Sequence, residues 1–262
     1  MSLTCITQPH PNLNATIQDG ILELVLNRPE RKNALFGEFY LALEQAILEA
    51  DQDPAVRVVL LRGEQDFSAG NDLQDFANSP ASGIDAPPFR VLRAATALTK
   101  PLIIAVRGVA VGIGTTLLLH ADLVYCDATA RFQMPFLSLG LSPEGASTLL
   151  LPQRAGYLKA AEFLLLAEPF TAEAALNAKL VNQIIPNDVY AYAREKAIRI
   201  TQLPIASIKL TKAMLRDTTP TTVVERINSE AIEFVQRVKT PEMKEALIAF
   251  KEKRAPNFRQ FD

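Results

Sequence analysis

Twice along this sequence, an apolar run rich in β-branched residues leads into a glycine-containing turn and then into a helical pattern. The first run is 56–62 and its turn is 67–73, FSAGNDL; the second run is 102–106 and its turn is 108–114, GVAVGIG. Repetition of this unit predicts parallel strands joined by helices, with ligand sites in the turns that follow the strands. The predicted fold class is therefore α/β.

The segments around these units extend the same pattern. Residues 15–26 predict a β-hairpin around an Asp-Gly pair, which suits a type I′ turn. Apolar residues at helical spacing over 36–50 predict a helix before the first unit, and further helices are predicted at 89–98 and 113–121.

The last third of the sequence is predominantly helical. Thr171 and Thr240 stand where helix N-caps are expected. Apolar stripes along 223–238 and 243–250 predict helices that bury one face against the core, against a neighbouring subunit, or against both. We expect both, and therefore a homo-oligomer.

Composition excludes several classes of protein. With 27 Lys and Arg against 29 Asp and Glu among 262 residues, the chain lacks the basic character of a nucleic-acid-binding protein. Two cysteines and two histidines predict neither a disulfide framework nor a metal site. The longest apolar tract, 102–121, is interrupted by Arg107 and three glycines, so no membrane span is expected. Neither end resembles a targeting signal, which favours a cytoplasmic protein.

Each glycine turn admits an ordinary and a functional interpretation. In the first, Gly70 makes the turn and Asp72 caps the next helix, or the turn leaves the Asn71 N–H free to bind an anionic oxygen. In the second, the glycines permit close helix–strand packing, or the Ile113 N–H lies at a helix N-terminus, where the dipole favours developing negative charge. The spacing Gly-x-x-x-Gly-x-Gly does not fit a dinucleotide fingerprint.

Glu144 is the third candidate residue. Ser142 is placed as an N-cap, Pro143 as the first helical residue and Glu144 as the second. In that position a glutamate is ordinarily a solvated partner of the helix dipole. In an apolar cleft, burial would raise its pKa while the dipole lowered it, giving a base usable near neutrality. One such base and two N–H donors are the minimum set for moving a proton beside a thioester carbonyl.

Five segments, in order and spacing, resemble the enoyl-CoA hydratase/isomerase family, also called the crotonase family, over essentially the whole chain. They are 26–35, LNRPERKNAL; 67–73, FSAGNDL; 106–114, VRGVAVGIG; 120–127, HADLVYCD; and 250–254, FKEKR. The resemblance implies a spiral of β-β-α units in residues 1–200 and a helical region in 201–262 that builds trimers or pairs of trimers. It implies an acyl-CoA substrate, with no cofactor beyond that coenzyme A, and the N–H groups of Asn71 and Ile113 as oxyanion donors.

Departures from the hydratase pattern narrow the expected activity. The two glutamates that the family's hydratases use fall on Thr116 and Phe136, neither of which can act as a carboxylate. Segment 141–145, LSPEG, instead resembles the part of peroxisomal-type 3,2-trans-enoyl-CoA isomerases that bears their single catalytic glutamate. The resemblance thus implies that Glu144 moves a proton from the α- to the γ-carbon of a 3-enoyl-CoA.

Further residues are expected to bind the substrate. Basic side chains would meet the coenzyme A phosphates, with Arg31, Lys251, Lys253 and Arg254 as candidates. The family resemblance implies that the Ser68–Ala69 backbone meets the adenine and pantetheine portions. Phe136 and Leu139 would form an apolar wall, or simply pack in the core. The predicted substrate-binding set comprises Arg31, Ser68, Ala69, Gly70, Asp72, Gly112, Phe136, Leu139 and Lys251. Residues 78–88 form either a lid or an inert surface loop, and His120 is expected to be structural.

Three alternatives stay open. The same base and donors could serve another acyl-CoA reaction, such as isomerisation of a ring-opened intermediate of aromatic degradation. The chain could be a catalytically silent acyl-CoA binder or assembly scaffold, in which case Glu144 would be dispensable. An RNA-binding relative would need a basic face, which this near-neutral sequence does not display.

Overall fold

The main sheet is built from strands that are parallel except at one edge. A computed structural model describes residues 10–78, 82–216 and 220–261. In that part of the chain, the strands are β1 (Leu13–Gln18), β2 (Ile21–Leu26), β3 (Val58–Gly63), β4 (Leu102–Val106), β5 (Val109–Val111), β6 (Leu123–Asp127), β7 (Arg131–Gln133), β8 (Phe170–Thr171) and β9 (Gln183–Ile185). The main sheet has the order β1-β2-β3-β4-β6-β9, and only β1 and β2 pair antiparallel. A second sheet has the order β5-β7-β8.

Helices cover both faces of the main sheet. They are α1 (Gly37–Gln52), α2 (Leu73–Asn78), α3 (Pro87–Ala97), α4 (Ile113–Thr116), α5 (Ser147–Ala155), α6 (Tyr157–Leu166), α7 (Ala172–Asn177), α8 (Val189–Thr201), α9 (Ile205–Arg216), α10 (Pro220–Val238) and α11 (Pro241–Lys251). Short 3-10 helices lie at Pro29–Arg31, Leu117–His120, Leu137–Leu139 and Phe258–Phe261. The predicted α/β fold is confirmed.

Alternation along the strands explains this two-sided covering. All five residues of β4 are buried. Ile104 and Val106 point into the larger core, whereas Ile103 and Ala105 point to the smaller core beneath α8. Period-two alternation between two apolar faces is what a parallel strand buried on both sides requires.

Several predicted elements are confirmed, with two differences around the second glycine turn. The β1–β2 turn has positive φ at both Asp19 and Gly20, as a type I′ turn needs. Residues 108–114, expected as a plain turn, contain the short strand β5, which pairs with β7. The helix predicted for 113–121 is α4 followed by a 3-10 helix over Leu117–His120.

The C-terminal helices close over the α/β core. Val223, Ile227, Ala231 and Phe234 of α10 are buried in the same core as the sheet, and α10 packs on α3. The ring of Phe234 meets the rings of Phe76 and Phe89 edge-on, at centroid distances of 6.1 and 5.7 Å.

Both threonines stand at helix N-caps as predicted, but only Thr171 caps through its side chain, which accepts from the Ala174 N–H. Residues 79–81 of the predicted lid lie outside the described residues, as do the N-terminal residues and Asp262 on which the targeting expectations partly rest. None of the described helices combines the length and the apolar character needed to cross a bilayer.

Candidate active site

The two glycine turns lie side by side. The Ser68 N–H donates to the Val109 carbonyl at 3.0 Å, and the Val111 N–H donates to the Ser68 carbonyl at 2.9 Å. Glycine is required at the contact, since a Cβ atom on Gly70 would lie 2.4 Å from the Val111 oxygen and one on Gly114 would lie 2.7 Å from the Ser68 oxygen. Gly70 also has a positive φ of 82°, which glycine adopts at no steric cost.

This contact presents two free backbone donors. Neither the Asn71 N–H nor the Ile113 N–H donates a hydrogen bond to any residue that the structure describes. Ile113 is the first residue of α4, so its N–H has no partner within the helix. Two adjacent, unused N–H groups are what an oxyanion hole requires.

Glu144 faces these donors from a turn, and the expectation that it begins a helix is wrong. Gly145 and Ala146 have φ values of 72° and 54°, and α5 starts only at Ser147. The turn is fixed by packing, because a Cβ atom on Gly145 would lie 3.0 Å from the Thr116 side chain. Tertiary contacts thus override the local helix-start signal of Ser142 and Pro143.

The Glu144 carboxyl group is almost fully buried, with 4% of the residue exposed. Its Oε1 accepts a hydrogen bond from the Thr116 hydroxyl at 2.5 Å, while Oε2 has no partner among the described residues. Burial raises the pKa of Glu144 to about 8, the Thr116 hydroxyl acts against that shift, and the Glu230 carboxylate adds to it. The sequence suggested that a helix dipole would lower the pKa of Glu144. In the structure Glu144 precedes the helix, and the group that lowers its pKa is the Thr116 hydroxyl.

Glu144 and the two N–H donors, Asn71 and Ile113, line one small cavity of about 40 Å³. The predicted residues that the structure brings together there are Asn71, Gly112, Ile113, Phe136, Leu139 and Glu144. Pro88, Phe89, Pro135, Leu141 and Phe234 complete the lining, so the walls are otherwise apolar. Among the described lining residues, Glu144 is the only one with a titratable side chain.

A larger cleft of about 490 Å³ adjoins this cavity, and Asn71 and Pro88 line both. The cleft runs between the start of α1 and the segment that leads into α3, where Tyr40 and Phe76 also line it. A ligand in the cleft would therefore have direct access to Asn71.

Other predicted binding residues, among them Ser68, Ala69 and Asp72, form hydrogen bonds or ion pairs with residues of the protein itself. The Ser68 hydroxyl donates to the Asn33 carbonyl and accepts from the Gly70 N–H, and the Ala69 N–H donates to the Lys32 carbonyl. The Asp72 carboxylate lies 2.8 Å from Arg28, and its other oxygen accepts from the Gln74 N–H. These hydrogen bonds and the lowered pKa of Asp72 fit the alternative interpretation of this residue as a helix cap.

The basic candidates for coenzyme A phosphates lie at the surface. Arg31 and Lys251 are exposed, and the Arg31 guanidinium lies 3.5 Å from the Gln74 amide oxygen. Arg254 forms an ion pair with Glu245 at 2.6 Å, so its guanidinium is less available to a phosphate group than the side chains of Arg31 and Lys251 are.

Sequence reasoning missed two side chains beside the base. Tyr40 lies on the buried face of α1 and its hydroxyl donates to the Asn71 side-chain oxygen. Burial, followed by the charge of Glu144, raises the pKa of Tyr40 well above its usual value. The other is Glu230 of α10, a buried carboxyl group whose charge contributes to the raised pKa of Glu144. Neither side chain belongs to a local motif, so only the packing of α1 and α10 reveals them.

His120 is structural in its contacts, as expected. Its Nδ1 lies 2.8 Å from the Thr96 hydroxyl and its Nε2 lies 2.8 Å from the Gly145 carbonyl, the residue after Glu144. Burial lowers the pKa of His120 to about 3, so the ring is neutral. A carbonyl only accepts, so a neutral ring donates from Nε2 to Gly145, and its Nδ1 is an acceptor that shares the single Thr96 hydroxyl proton with the Leu92 carbonyl, also at 2.8 Å. Among the described residues, no group of three or more His, Cys, Asp or Glu side chains is arranged to hold a metal ion.

Comparisons with known proteins place the fold in a family. The model of the family described as enoyl-CoA hydratase/isomerase matches residues 16–261. Human enoyl-CoA delta isomerase 2 is 34% identical over 78% of this chain, which spans only 54% of that relative's length. Crotonyl-CoA hydratase of Syntrophomonas wolfei is 30% identical over 95% of this chain and 98% of its own.

A solved structure agrees with these relatives. A crystal structure from Acinetobacter baumannii, described as an enoyl-CoA hydratase/isomerase, shares 54% identity and a TM-score of 0.84, covering 89% of this chain and 100% of that one. Relatives of similar identity thus include both isomerases and hydratases.

Proposed function

Since this chain belongs to the enoyl-CoA hydratase/isomerase family, we propose that it is an acyl-CoA isomerase that converts a 3-enoyl-CoA to a 2-enoyl-CoA. One observation carries this proposal: a single buried carboxyl group shares a cavity with two unused N–H donors. One base and an oxyanion hole suffice to take a proton from one carbon and return it to another.

In the proposed reaction, Oε2 of ionised Glu144 removes the α-proton of the 3-enoyl-CoA. The electron pair of the broken C–H bond enters a dienolate, whose oxygen accepts hydrogen bonds from the Asn71 and Ile113 N–H groups. The proton then returns from Glu144 to the γ-carbon, and the double bond closes between the α- and β-carbons. Each N–H donor is expected to lower the barrier by about 3–4 kcal/mol.

Two features favour proton transfer over hydration. The side chains at the positions of the hydratase glutamates are Thr116, whose hydroxyl is already bonded to Glu144, and Phe136, which belongs to the cavity wall. The remaining wall is apolar and would keep water from the dienolate. We therefore expect isomerisation to be much faster than hydration.

Substrate binding is proposed on the same basis. The acyl-CoA thioester would lie against Asn71 and Ile113, with Phe136 and Leu139 beside the reacting carbons and the larger cleft available to the rest of the ligand. The Ala69 carbonyl accepts no hydrogen bond from the described residues, so it is free to meet the ligand. Arg31 and Lys251 stay proposals for phosphate contacts.

The decisive experiment compares the wild-type protein with Glu144→Gln on 3-hexenoyl-CoA and on 2-hexenoyl-CoA. We expect the variant to lose about 10²–10⁴-fold in 3-enoyl conversion, because a positioned general base contributes that much. Glu195→Gln, which removes an exposed glutamate of α8, is the matched control and should retain full activity.

Two results would contradict the proposal. Unchanged 3-enoyl conversion in Glu144→Gln would show that Glu144 is not the base of the reaction. Faster hydration of 2-hexenoyl-CoA than isomerisation of 3-hexenoyl-CoA by the wild-type protein would assign the chain to the hydratases of its family.

A further inference from the structure

The turn that carries Glu144 is surrounded by buried polar atoms without partners. In the part of the chain that the structure describes, five buried side-chain atoms lack a hydrogen-bond partner: Arg57 Nε, Ser142 Oγ, Glu144 Oε2, Ser147 Oγ and Glu230 Oε2. Three of the five belong to residues 142–147, and a fourth belongs to α10, which packs against α5. Unsatisfied polar atoms are costly, so their concentration at one place marks a functional region.

Glu230 is the least expected member of this group. It lies on α10, with 7% of the residue exposed. Its Oε1 accepts two hydrogen bonds from Thr148 in the first turn of α5, one from the N–H at 3.0 Å and one from the hydroxyl at 2.5 Å. A single neutral oxygen would be enough to accept both hydrogen bonds from Thr148. The second carboxylate oxygen of Glu230, Oε2, is nevertheless buried without a hydrogen-bond partner among the described residues.

We propose that Glu230 is a positioning residue for Glu144: it holds the start of α5 behind the catalytic turn and places a second negative charge against the base. The inference rests on the proposed function of Glu144. From the other side, His120 holds the Gly145 carbonyl, so the turn is fixed between α10 and the 3-10 helix. Glu230 itself does not line the small cavity and acts only through Glu144.

Electrostatics supports this role. The charge of Glu230 adds to the raised pKa of Glu144, and burial raises the pKa of Glu230 itself against the hydrogen bonds from Thr148. The other titratable groups around the pair are Arg226 on α10, which lowers the pKa of Glu230, and Tyr40 and His120, which face Glu144 and its turn. Burial is the main cause of the raised pKa of Glu144; His120 is neutral, so the negative charge that adds to the effect of burial is that of Glu230.

Glu230→Gln tests the inference, because the amide oxygen can still accept from Thr148 while the charge is lost. We expect the ionisation midpoint of Glu144 to fall by about half a pH unit or more once the like charge is removed. The rising limb of the pH profile of kcat/KM should move down equally, and the plateau above it should fall several-fold because the base is weaker.

The midpoint is measured without catalysis, by infrared spectroscopy of the protonated carboxyl band across the pH range. The Glu144 band is isolated by difference spectra. In the wild-type background, the spectrum of Glu144→Gln is subtracted from that of the wild-type protein. In the Glu230→Gln background, the spectrum of the double variant Glu230→Gln/Glu144→Gln is subtracted from that of Glu230→Gln. Glu233→Gln, which removes an exposed charge from the same helix, is the matched control and should leave the midpoint unchanged. If Glu230→Gln does not fold, Glu230→Met replaces it, since it removes the charge and places no amide N–H at the position of Oε2, which has no partner among the described residues.

An unchanged Glu144 midpoint in the Glu230 variant, or an equal shift in Glu233→Gln, would overturn the inference. A shifted midpoint in a protein without isomerase activity would leave the inference standing and reject the proposed function. The two failures are therefore distinguishable.

Discussion

At the residue scale, the proton affinity of Glu144 decides at which pH the proposed isomerisation can proceed. Its pKa is raised to about 8, and only the ionised form can accept the substrate proton. We therefore expect kcat/KM for 3-enoyl-CoA to rise with pH through about 8. A profile that is flat from pH 6 to pH 9, within about twofold, would contradict a buried base.

Thr116→Val tests the hydrogen bond that opposes this shift. The hydroxyl stabilises the ionised carboxylate, so its removal should raise the pKa of Glu144 further and move the rising limb to higher pH. Activity at pH 7 should fall about tenfold, which corresponds to a shift of one unit. Thr116→Ser keeps the hydroxyl and should behave like wild type, and a matching loss in that variant would show that the methyl group matters instead.

At the scale of elements, the approach of β5 and α4 to the first glycine turn sets the spacing of the two donors. Gly114→Ala would place a Cβ atom 2.7 Å from the Ser68 carbonyl and push the start of α4 away. We expect about a 10²-fold loss in kcat/KM, because displacements of roughly 1 Å have this effect on catalytic geometry.

Gly83→Ala is the control for that prediction. A Cβ atom there meets nothing within 4 Å, and Gly83 lines neither of the two cavities at the site. The two variants are compared by steady-state kinetics. Equal kcat/KM for Gly114→Ala and Gly83→Ala would mean that activity does not depend on the close contact between the two glycine turns, and would contradict the N–H pair as an oxyanion hole.

At the scale of the whole molecule, apolar side chains on two helices are not covered by any of the residues that the structure describes. On α6, Leu158, Leu165 and Leu166 are 83%, 63% and 59% exposed, and on α9, Met214 and Leu215 are 69% and 80% exposed. Exposed apolar surface of this kind is typical of subunit contacts. We propose that other copies of the chain cover it, in a trimer or a pair of trimers.

Sedimentation analysis checks this proposal. The wild-type protein should sediment with three or six times the mass of one chain, and Leu215→Asp should shift it toward smaller species because a charge would be buried in the contact. A wild-type protein that sediments as a monomer at micromolar concentration would refute it.

Burial of Glu144 also has a cost for the stability of the fold. The pKa of Glu144 is about 8 in the folded chain and about 4.5 when exposed, so the unfolded chain releases this proton first as pH rises. Between these values the folded state is progressively destabilised, by an amount on the order of 5 kcal/mol at the alkaline end. Glu144→Gln should therefore gain stability relative to wild type as the pH rises.

Thermal unfolding of both proteins at about pH 5 and about pH 8.5 measures this effect. We expect the difference in Tm to grow by several degrees at the higher pH. His120, whose lowered pKa destabilises the fold between about pH 6.5 and pH 3, contributes equally to both proteins and cancels. A difference independent of pH would mean that Glu144 is not buried in its ionised form.

The sequence alone determined the α/β class, the hairpin, the strands of the main sheet and, by resemblance, the family, because these depend on local periodicity and on ordered motifs. The helix start predicted from Ser142 and Pro143 is wrong, because that signal depends only on local sequence. Gly145 and Ala146 have positive φ values, and the turn is held by contacts of Gly145 with Thr116 and His120.

Only the tertiary structure decided the surroundings of Glu144. The two side chains that, with burial, set the pKa of its carboxyl group are Thr116 and Glu230, which lie 28 and 86 residues away along the chain. Tyr40 lies on α1 in the first quarter of the sequence. A pKa is set by burial and by neighbours in space, and no local pattern encodes which distant helix will supply them.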